Sequence, residues 1–236
     1  MARPGFQLPE SICVDGYIST FKDLHVLRYF GNSLFVAGMS VLISVIMISM
    51  SAYVVARMDF KGKKLVNILL YSTMFIPATA LTYPVYNLIH KLHLYDTKAA
   101  LILIYSCSGI AISFFVIKNY YDNVPRDLEE AARIDGCGYA MTFVKVIFPI
   151  ARPGIMTAAV LAFLNNWNEY YWASLVLITR EKLTVPALLS TFTTAFTTNY
   201  NGLFSAMVVI ILPPIILYCV FSKFFIEALS GGAVKG

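Results

Sequence analysis

Five long stretches of the chain are almost continuously apolar, and most polar residues lie in the segments between them. The stretches cover residues 33–55, 65–88, 99–117, 154–178 and 203–226. Each is close to the roughly 20 residues that an α-helix needs to cross the hydrocarbon core of a membrane. Strands of a membrane β-barrel would instead alternate apolar and polar positions over about 10 residues. The pattern therefore predicts five transmembrane helices.

Composition agrees with a membrane protein. Hydrophobic residues make up 58% of the 236 residues and charged residues only 13%, whereas roughly a quarter of a soluble domain is charged. So apolar a chain is not intrinsically disordered. The net charge of +5 is spread over several short segments, which argues against a nucleic-acid binder.

The basic residues predict an orientation. Eleven of the eighteen Lys and Arg residues lie in segments 56–64 and 118–153 and at the C-terminal end, which alternate spanning places on one side. Loops rich in Lys and Arg stay in the cytoplasm. We therefore expect a cytoplasmic C-terminus and an extracytoplasmic N-terminal segment, residues 1–32.

The sequence lacks the common motifs for catalysis. It contains no GxxxxGK(S/T) phosphate-binding loop and no GxSxG nucleophile motif. The cysteines show no CxxC spacing, and we interpret His90 and His93 as interfacial polar residues rather than metal ligands. We therefore expect a protein that is not an enzyme and holds no metal or cofactor.

Residues 118–153 are predicted to contain two short helices. Acidic residues after Pro125 favour the start of the first helix, and Gly136 ends it. Arg126 and Glu130, and likewise Glu129 and Arg133, have the i,i+4 spacing of local ion pairs.

The second of these helices runs from about Tyr139 to Phe148 and stops at Pro149. Its apolar stripe contains Phe143, Val146, Ile147 and Ile150. From the residues alone, the whole segment could dock a partner or could lie as an amphipathic loop on the membrane surface.

The segment resembles the EAA motif of bacterial ABC-importer permeases, and we call residues 118–153 the EAA segment. Cys137 and Phe148 depart from the family pattern. The matching positions are Glu130-Ala131-Ala132, Asp135-Gly136, Phe143, Pro149 and Pro153-Gly154. Other segments, from about residue 17 onward, resemble the carbohydrate-uptake (MalG-like) branch: Asn32-Ser33, Ala52-Tyr53, Ala56-Arg57, Phe60-Lys61-Gly62, Trp167-Asn168-Glu169 and residues 231–236.

The resemblance implies an all-α, polytopic helix bundle with the type I ABC importer permease (MetI-like) fold over residues 33–236. Such a permease subunit would carry a sugar or oligosaccharide across the cytoplasmic membrane by alternating access. Its partners would be a MalF-like second permease, two ABC ATPase subunits that bind ATP, and an extracytoplasmic solute-binding protein. Two alternatives stay open: a permease for a polyamine or phosphate, and an uncoupled channel or scaffold.

The resemblance also implies a coupling site for an ATPase subunit. Glu130 would make the main polar contact, a salt bridge to a basic residue of the ATPase, beside small side chains that allow close approach. The expected coupling residues are Glu129, Glu130, Ala131, Ala132, Asp135 and Gly136.

The fourth apolar stretch contains a polar cluster. Asn165, Asn168, Glu169 and Trp172 would share one face of a continuous helix. Such residues in a transmembrane helix usually face a bundle interior or a wet cavity, so they are candidates for the translocation path. Interhelical hydrogen bonds or an interfacial aromatic belt are the alternatives.

The resemblance also implies a role for the external loop, residues 179–202. This loop would contact the binding protein, with Thr194 and Thr198 as candidates; an interfacial or re-entrant helix is the alternative.

The family has six spans, and residues 17–32 resemble the external segment after the first of them. We therefore expect a further span upstream of Met1.

Overall fold

The computed structural model describes residues 18, 26–192 and 200–233, and these ranges contain helices, turns and loops but no strands. The predicted all-helical architecture is thus confirmed. The α-helices are α1 Val26–Arg57, α2 Lys63–Thr73, α3 Thr82–Lys91, α4 Lys98–Ser106, α5 Ile110–Asn123, α6 Asp127–Ile134, α7 Tyr139–Thr142, α8 Phe148–Ile150, α9 Arg152–Trp167, α10 Tyr171–Val176, α11 Val185–Leu189 and α12 Tyr200–Ala233.

Two described helices are long and apolar enough to span a membrane, α1 and the Tyr200–Phe221 part of α12. Three further pairs of helices satisfy the same test together but bend sharply at a short break. Within the described ranges the number of spans is therefore two, or up to five when each bent pair is one span. The predicted spans 33–55, 65–88, 99–117 and 203–226 overlap four of these candidates, whereas the remaining bent pair, Tyr139–Ile150 with Arg152–Trp167, meets at 77° and overlaps the predicted span 154–178 only in part.

The second apolar region bends most. Lys63–Thr73 and Ala78–Lys91 meet at 100°. Pro77 stands between them in an extended conformation, with φ −64° and ψ 133°. Proline lacks the amide hydrogen that a helix would need and disfavours helical geometry in the preceding residue, so the helix cannot continue through this point.

The third apolar region bends by 49° between α4 and α5. Gly109 stands just before α5 with φ +65°, a left-handed conformation that glycine adopts without the strain of a Cβ atom. This break leaves Ser108 and Gly109 outside both helices, at a position where the candidate site forms.

The predicted fourth span, residues 154–178, is divided in two. α9 ends at Trp167, and α10 begins only at Tyr171. Asn168 follows α9, and both its backbone and side-chain nitrogens donate to the Leu164 carbonyl, at 3.2 and 2.9 Å. The side chain of Asn is well suited to such local backbone contacts, which compete with helix continuation.

Helix α1 is the centre of the bundle and packs against α4, α5 and α9. Its buried face includes Ser33, Ser40, Ser44 and Ser49. Small residues allow close helix approach in membranes, where the hydrophobic effect gives no preference for helix over lipid. The Ser49 hydroxyl also shares a hydrogen bond with the Tyr121 hydroxyl of α5.

Close packing between α5 and α9 requires Gly154. A Cβ atom at this position would lie 2.1 Å from Cδ2 and 2.4 Å from Cγ of Tyr120. Those ring atoms are near the root of the side chain, so the Tyr120 ring or the helices must shift to relieve the clash.

We expect Gly154→Ala to destabilise the protein by about 1–3 kcal/mol, the usual cost of overpacking. The measurement is the melting temperature of the purified protein in detergent. Gly138→Ala is the matched control, since a Cβ atom there meets nothing within 4 Å. Equal melting temperatures for the two variants would contradict the close α5–α9 contact.

Candidate functional site

Helix α6 of the EAA segment ends as the sequence predicts. Gly136 has φ +84°. Its amide donates to the Arg133 carbonyl at 3.0 Å, and the Cys137 amide donates to the Ala132 carbonyl at 2.9 Å. These two bonds form a Schellman motif, which satisfies the last carbonyls of a helix and favours glycine at the left-handed position. Gly136 therefore fixes the turn after α6.

Glu129 is buried, because it reaches back to the C-terminal end of α1. Its Oε1 lies 2.8 Å from Nε of Arg57, and the two side chains are only 9% and 6% exposed. Neither of these two atoms makes a hydrogen bond within the described residues, so the contact is an ion pair. The Arg57 guanidinium also donates to the Val124 carbonyl, just before α6. Arg57 thus ties α1 both to α6 and to the connection that precedes it.

Neither local ion pair suggested by the i,i+4 spacing forms within the described part of the chain. Glu129 pairs with Arg57 instead of Arg133. The Arg133 guanidinium lies over the ring of Tyr139, 4.7 Å from its centroid. Glu130 is exposed, and its carboxylate stays available to a partner.

The remaining coupling candidates divide between the surface and the interior. Ala131, Asp135 and Gly136 are exposed, whereas Ala132 is buried. Large apolar side chains are exposed on the same segment, with Ile134 87% exposed. The others are Leu128, Tyr139, Met141, Val144 and Ile150. Clustered apolar residues rimmed by polar ones are typical of a protein interface.

The second half of the EAA segment continues past the predicted stop at Pro149. A π-helical turn, Phe143–Ile147, connects α7 to α8, and Pro149 lies inside α8. The wider turn tolerates the missing amide hydrogen of proline. Ile147 is fully buried, Phe143 and Val146 are half-buried, and Ile150 is exposed, so the stripe faces the bundle only in part.

A polar cavity of about 260 Å³ lies between the α4–α5 break and the C-terminal end of α9. Two of the four translocation candidates, Asn165 and Glu169, line this cavity. Trp172 lies instead in an apolar cleft of about 370 Å³ beside α3 and α4. Asn168 is exposed and lines neither. The expected shared face is lost because the helix breaks after Trp167.

Glu169 caps the helix that follows this break. Its carboxylate accepts from the amides of Trp172 and Ala173, at 2.8 and 3.2 Å, and from the Tyr105 hydroxyl at 2.6 Å. The first amides of a helix lack partners within the helix and are stabilised by a carboxylate. Part of the role of Glu169 is therefore structural, since it joins α9, α10 and α4.

A cluster of polar contacts that the sequence did not indicate surrounds Asp96. Its carboxylate accepts from the amides of Ile178 and Thr179, each at 2.9 Å, and from Nζ of Lys182 at 2.8 Å. Burial alone would raise the pKa of Asp96, but these hydrogen bonds outweigh it and hold the pKa well below its usual range. The cluster fixes the start of loop 179–202 to the α3–α4 connection.

Asn32 and Ser33 hold the same loop from the other side. The Asn32 side-chain nitrogen donates to the carbonyls of Glu181 and Leu183, each at 2.9 Å. The Ser33 hydroxyl accepts from the amide of Val185 at 2.8 Å. The Asn-Ser pair that resembles a family motif therefore anchors the loop. The two binding-protein contact candidates, Thr194 and Thr198, lie outside the described residues.

We expect Asp96→Asn to lower the melting temperature at pH 7, because hydrogen bonds to a charged group contribute about 1.5–3 kcal/mol. The stabilisation is complete above the unfolded pKa of about 4 and disappears as pH falls through the lowered folded pKa. Wild type and variant should therefore begin to converge below about pH 4. Asp59→Asn is the control, since the Asp59 side chain is 90% exposed. A difference that does not shrink in strong acid would contradict a stabilising role for the Asp96 carboxylate.

The amino-acid sequence matches a known family. Residues 44–230 match the model of the binding-protein-dependent transport system inner membrane component family. The chain belongs to this family, so it is a multi-pass permease component of the inner membrane. The resemblance to binding-protein-dependent permeases is thereby confirmed.

Curated relatives cover nearly the whole chain. The arabinooligosaccharides transport system permease protein AraQ of Halalkalibacterium halodurans is 34% identical over 97% of this chain and 81% of its own length. The trehalose transport system permease protein SugB of Mycobacterium tuberculosis is 32% identical over 99% of this chain and 86% of its own length.

A solved structure confirms the predicted fold. A chain of a bacterial ABC transporter involved in the import of the acidic polysaccharide alginate superposes with a TM-score of 0.83 at 25% identity. The match covers 95% of this chain and 84% of that chain. This protein therefore has the type I ABC importer permease fold.

Proposed function

We propose that this protein is the permease subunit of an ATP-driven importer of a sugar or oligosaccharide. The observation that carries the proposal is the similarity over almost the full chain to permeases named for arabinooligosaccharides and trehalose. The polar cavity supports it, because Asn165 and Glu169 offer hydrogen-bonding groups in an otherwise apolar bundle. We propose these two residues as part of the translocation path.

The exposed side of α6 is the proposed docking surface for an ATPase subunit. Glu130 is exposed and free of ion pairs to the described residues, beside the exposed Ala131. An ATPase subunit would bind and hydrolyse ATP, and this chain would need no cofactor of its own. Movement of α6 would pass to α1 through the Arg57–Glu129 ion pair.

The other partners follow from the same proposal. A MalF-like permease would complete the pathway, and a solute-binding protein would dock at the opposite end from α6. In that orientation the N-terminus is extracytoplasmic and the C-terminus cytoplasmic. The part of the loop that contains Thr194 and Thr198 would face the binding protein. Residues 183–188 before it are buried, and this burial, with the anchoring by Asp96 and Asn32, supports a defined position for the start of the loop.

Uptake measurements in cells test the substrate class. Cells that lack this gene should lose ATP-dependent uptake of at least one labelled sugar among arabinotriose, trehalose and maltotriose. A plasmid copy should restore it, and uptake of spermidine and phosphate should stay unchanged. Loss of spermidine or phosphate uptake, with all three sugars unaffected, would contradict the proposal and favour the alternative permease class.

A further inference from the structure

The polar cavity contains more hydrogen-bonding groups than the two sequence candidates. Ser108 lines it from the α4–α5 break, Ser113 lines it from the first turn of α5, and Asn166 lines it from α9 next to Asn165. The N-terminal end of α5 also opens here, because Gly109 precedes it and supplies no side-chain cap. The cavity therefore combines hydroxyls, side-chain amides and one carboxylate beside the N-terminal end of a helix.

Asn166 carries a hydrogen-bond donor that the described part of the protein leaves without a partner. The residue is only 8% exposed, and its Nδ2 has no hydrogen-bond partner within the described ranges. A buried donor without a partner is costly, and such exceptions in native structures call for a specific explanation. Asn166 also lines the cavity, so this donor without a partner belongs to a residue of the cavity wall.

The hydrogen-bonding groups that line the polar cavity favour some classes of ligand over others. An anion such as phosphate would meet the Glu169 carboxylate, which is repulsive. A polyamine would find that carboxylate already holding three hydrogen bonds and would face donors at Asn166 and the α5 terminus. A sugar hydroxyl both donates and accepts, so vicinal hydroxyls can accept from the amide donors and donate to the amide oxygens together.

We infer that the polar cavity is a binding subsite for a single sugar ring of the transported carbohydrate, with Asn166 as a direct contact. The inference rests on the proposed function. The volume of about 260 Å³ lies below the roughly 300–1,000 Å³ typical of pockets for drug-sized ligands, so it holds one ring rather than a whole oligosaccharide. Ser108 and Ser113 line the same cavity as Asn166.

The test uses the complete transporter, purified through a tag on this chain and reconstituted in proteoliposomes with its binding protein. The probes are labelled arabinotriose, trehalose and maltotriose. We expect Asn166→Leu to raise the KM for the transported sugar about fivefold to tenfold, the effect of losing one or two hydrogen bonds. Ser113→Phe should fill the cavity and reduce sugar uptake at least tenfold, while ATP hydrolysis continues.

Melting temperature separates a binding role from a structural one. Because Nδ2 has no partner among the described residues, Asn166→Leu should keep or raise the melting temperature while it weakens transport. Asn67→Leu is the matched control, an asparagine of α2 whose Nδ2 donates to the Lys63 carbonyl at 3.1 Å and which lies outside the polar cavity. Its KM should equal that of the wild type.

The outcomes separate this inference from the proposed function. If the wild type transports none of the sugars, the proposed function fails. If the wild type transports a sugar and both cavity variants match it in KM and rate, the subsite is overturned while the proposed function stands. Parallel losses of melting temperature and transport in Asn166→Leu would also overturn the inference, since they would show a structural role.

Discussion

Replacing Arg57 by methionine should destabilise the protein and nearly abolish transport, and replacing Glu129 by methionine in the same chain should restore much of the stability. The single change leaves a carboxylate buried without its partner, which costs about 3–5 kcal/mol. Removing both charges is often close to neutral. For a chain of this size the single variants should melt about 6–20 °C below the wild type.

The readouts are melting temperature in detergent and ATP-driven uptake in proteoliposomes. The double variant should regain stability but not full uptake, because the ion pair that joins α6 to α1 is gone. Lys63 and Asp59 provide the control pair, with Nζ 3.3 Å from Oδ1 and side chains that are 29% and 90% exposed; methionine at either position should change stability by under about 1 kcal/mol. Additive effects of the Arg57 and Glu129 changes would contradict a direct pair.

Glu130→Ala should have the largest effect on coupling, with little effect on folding. Glu130 is exposed and makes no ion pair with the described residues, so its loss leaves no unpaired partner within them. Truncating one side of a charge pair that becomes buried at an interface costs about 2–5 kcal/mol. We therefore expect at least a tenfold loss of uptake and of ATPase stimulation by loaded binding protein.

The control for this prediction is Asp122→Ala, which removes an exposed carboxylate of α5 paired with Lys118. It should leave uptake near the wild-type value. Melting temperatures of both variants should match the wild type. Normal uptake by the Glu130→Ala variant, expressed at the wild-type level, would contradict the proposal that α6 is the coupling helix.

Local features of the EAA segment could be predicted from the sequence because neighbouring residues determine them. Gly136 ends α6 through bonds to residues within the last turn, and acidic residues begin it. The partner of Glu129 could not be predicted in this way. The i,i+4 spacing favours Arg133, whereas Arg57 is the residue that lies beside the carboxylate. Arg57 is far from Glu129 in sequence, and only the packing of the helices brings the two side chains together.

Hydropathy could predict where the apolar regions lie but not how they bend. Pro77 and Gly109 lie at the breaks in two of these regions, and both residue types are also tolerated in straight membrane helices. These residues alone therefore do not reveal which apolar regions are broken.

The break after Trp167 was likewise hidden, because the spacing of Asn165 and Asn168 fits a continuous polar helix face equally well. The candidate translocation residues divide as a result. Asn165 and Glu169 reach the polar cavity, and Asn168 and Trp172 do not.

The other proposals depend on one function: α6 couples ATP hydrolysis by an ATPase subunit to carbohydrate import. One measurement tests this function most directly. The complex is purified through a tag on this chain and reconstituted with its binding protein, and labelled sugar uptake is recorded with and without ATP. We expect uptake of arabinotriose, trehalose or maltotriose that requires ATP and is lost in Glu130→Ala. Sugar uptake that proceeds equally without ATP, or that survives Glu130→Ala unchanged, would contradict this function.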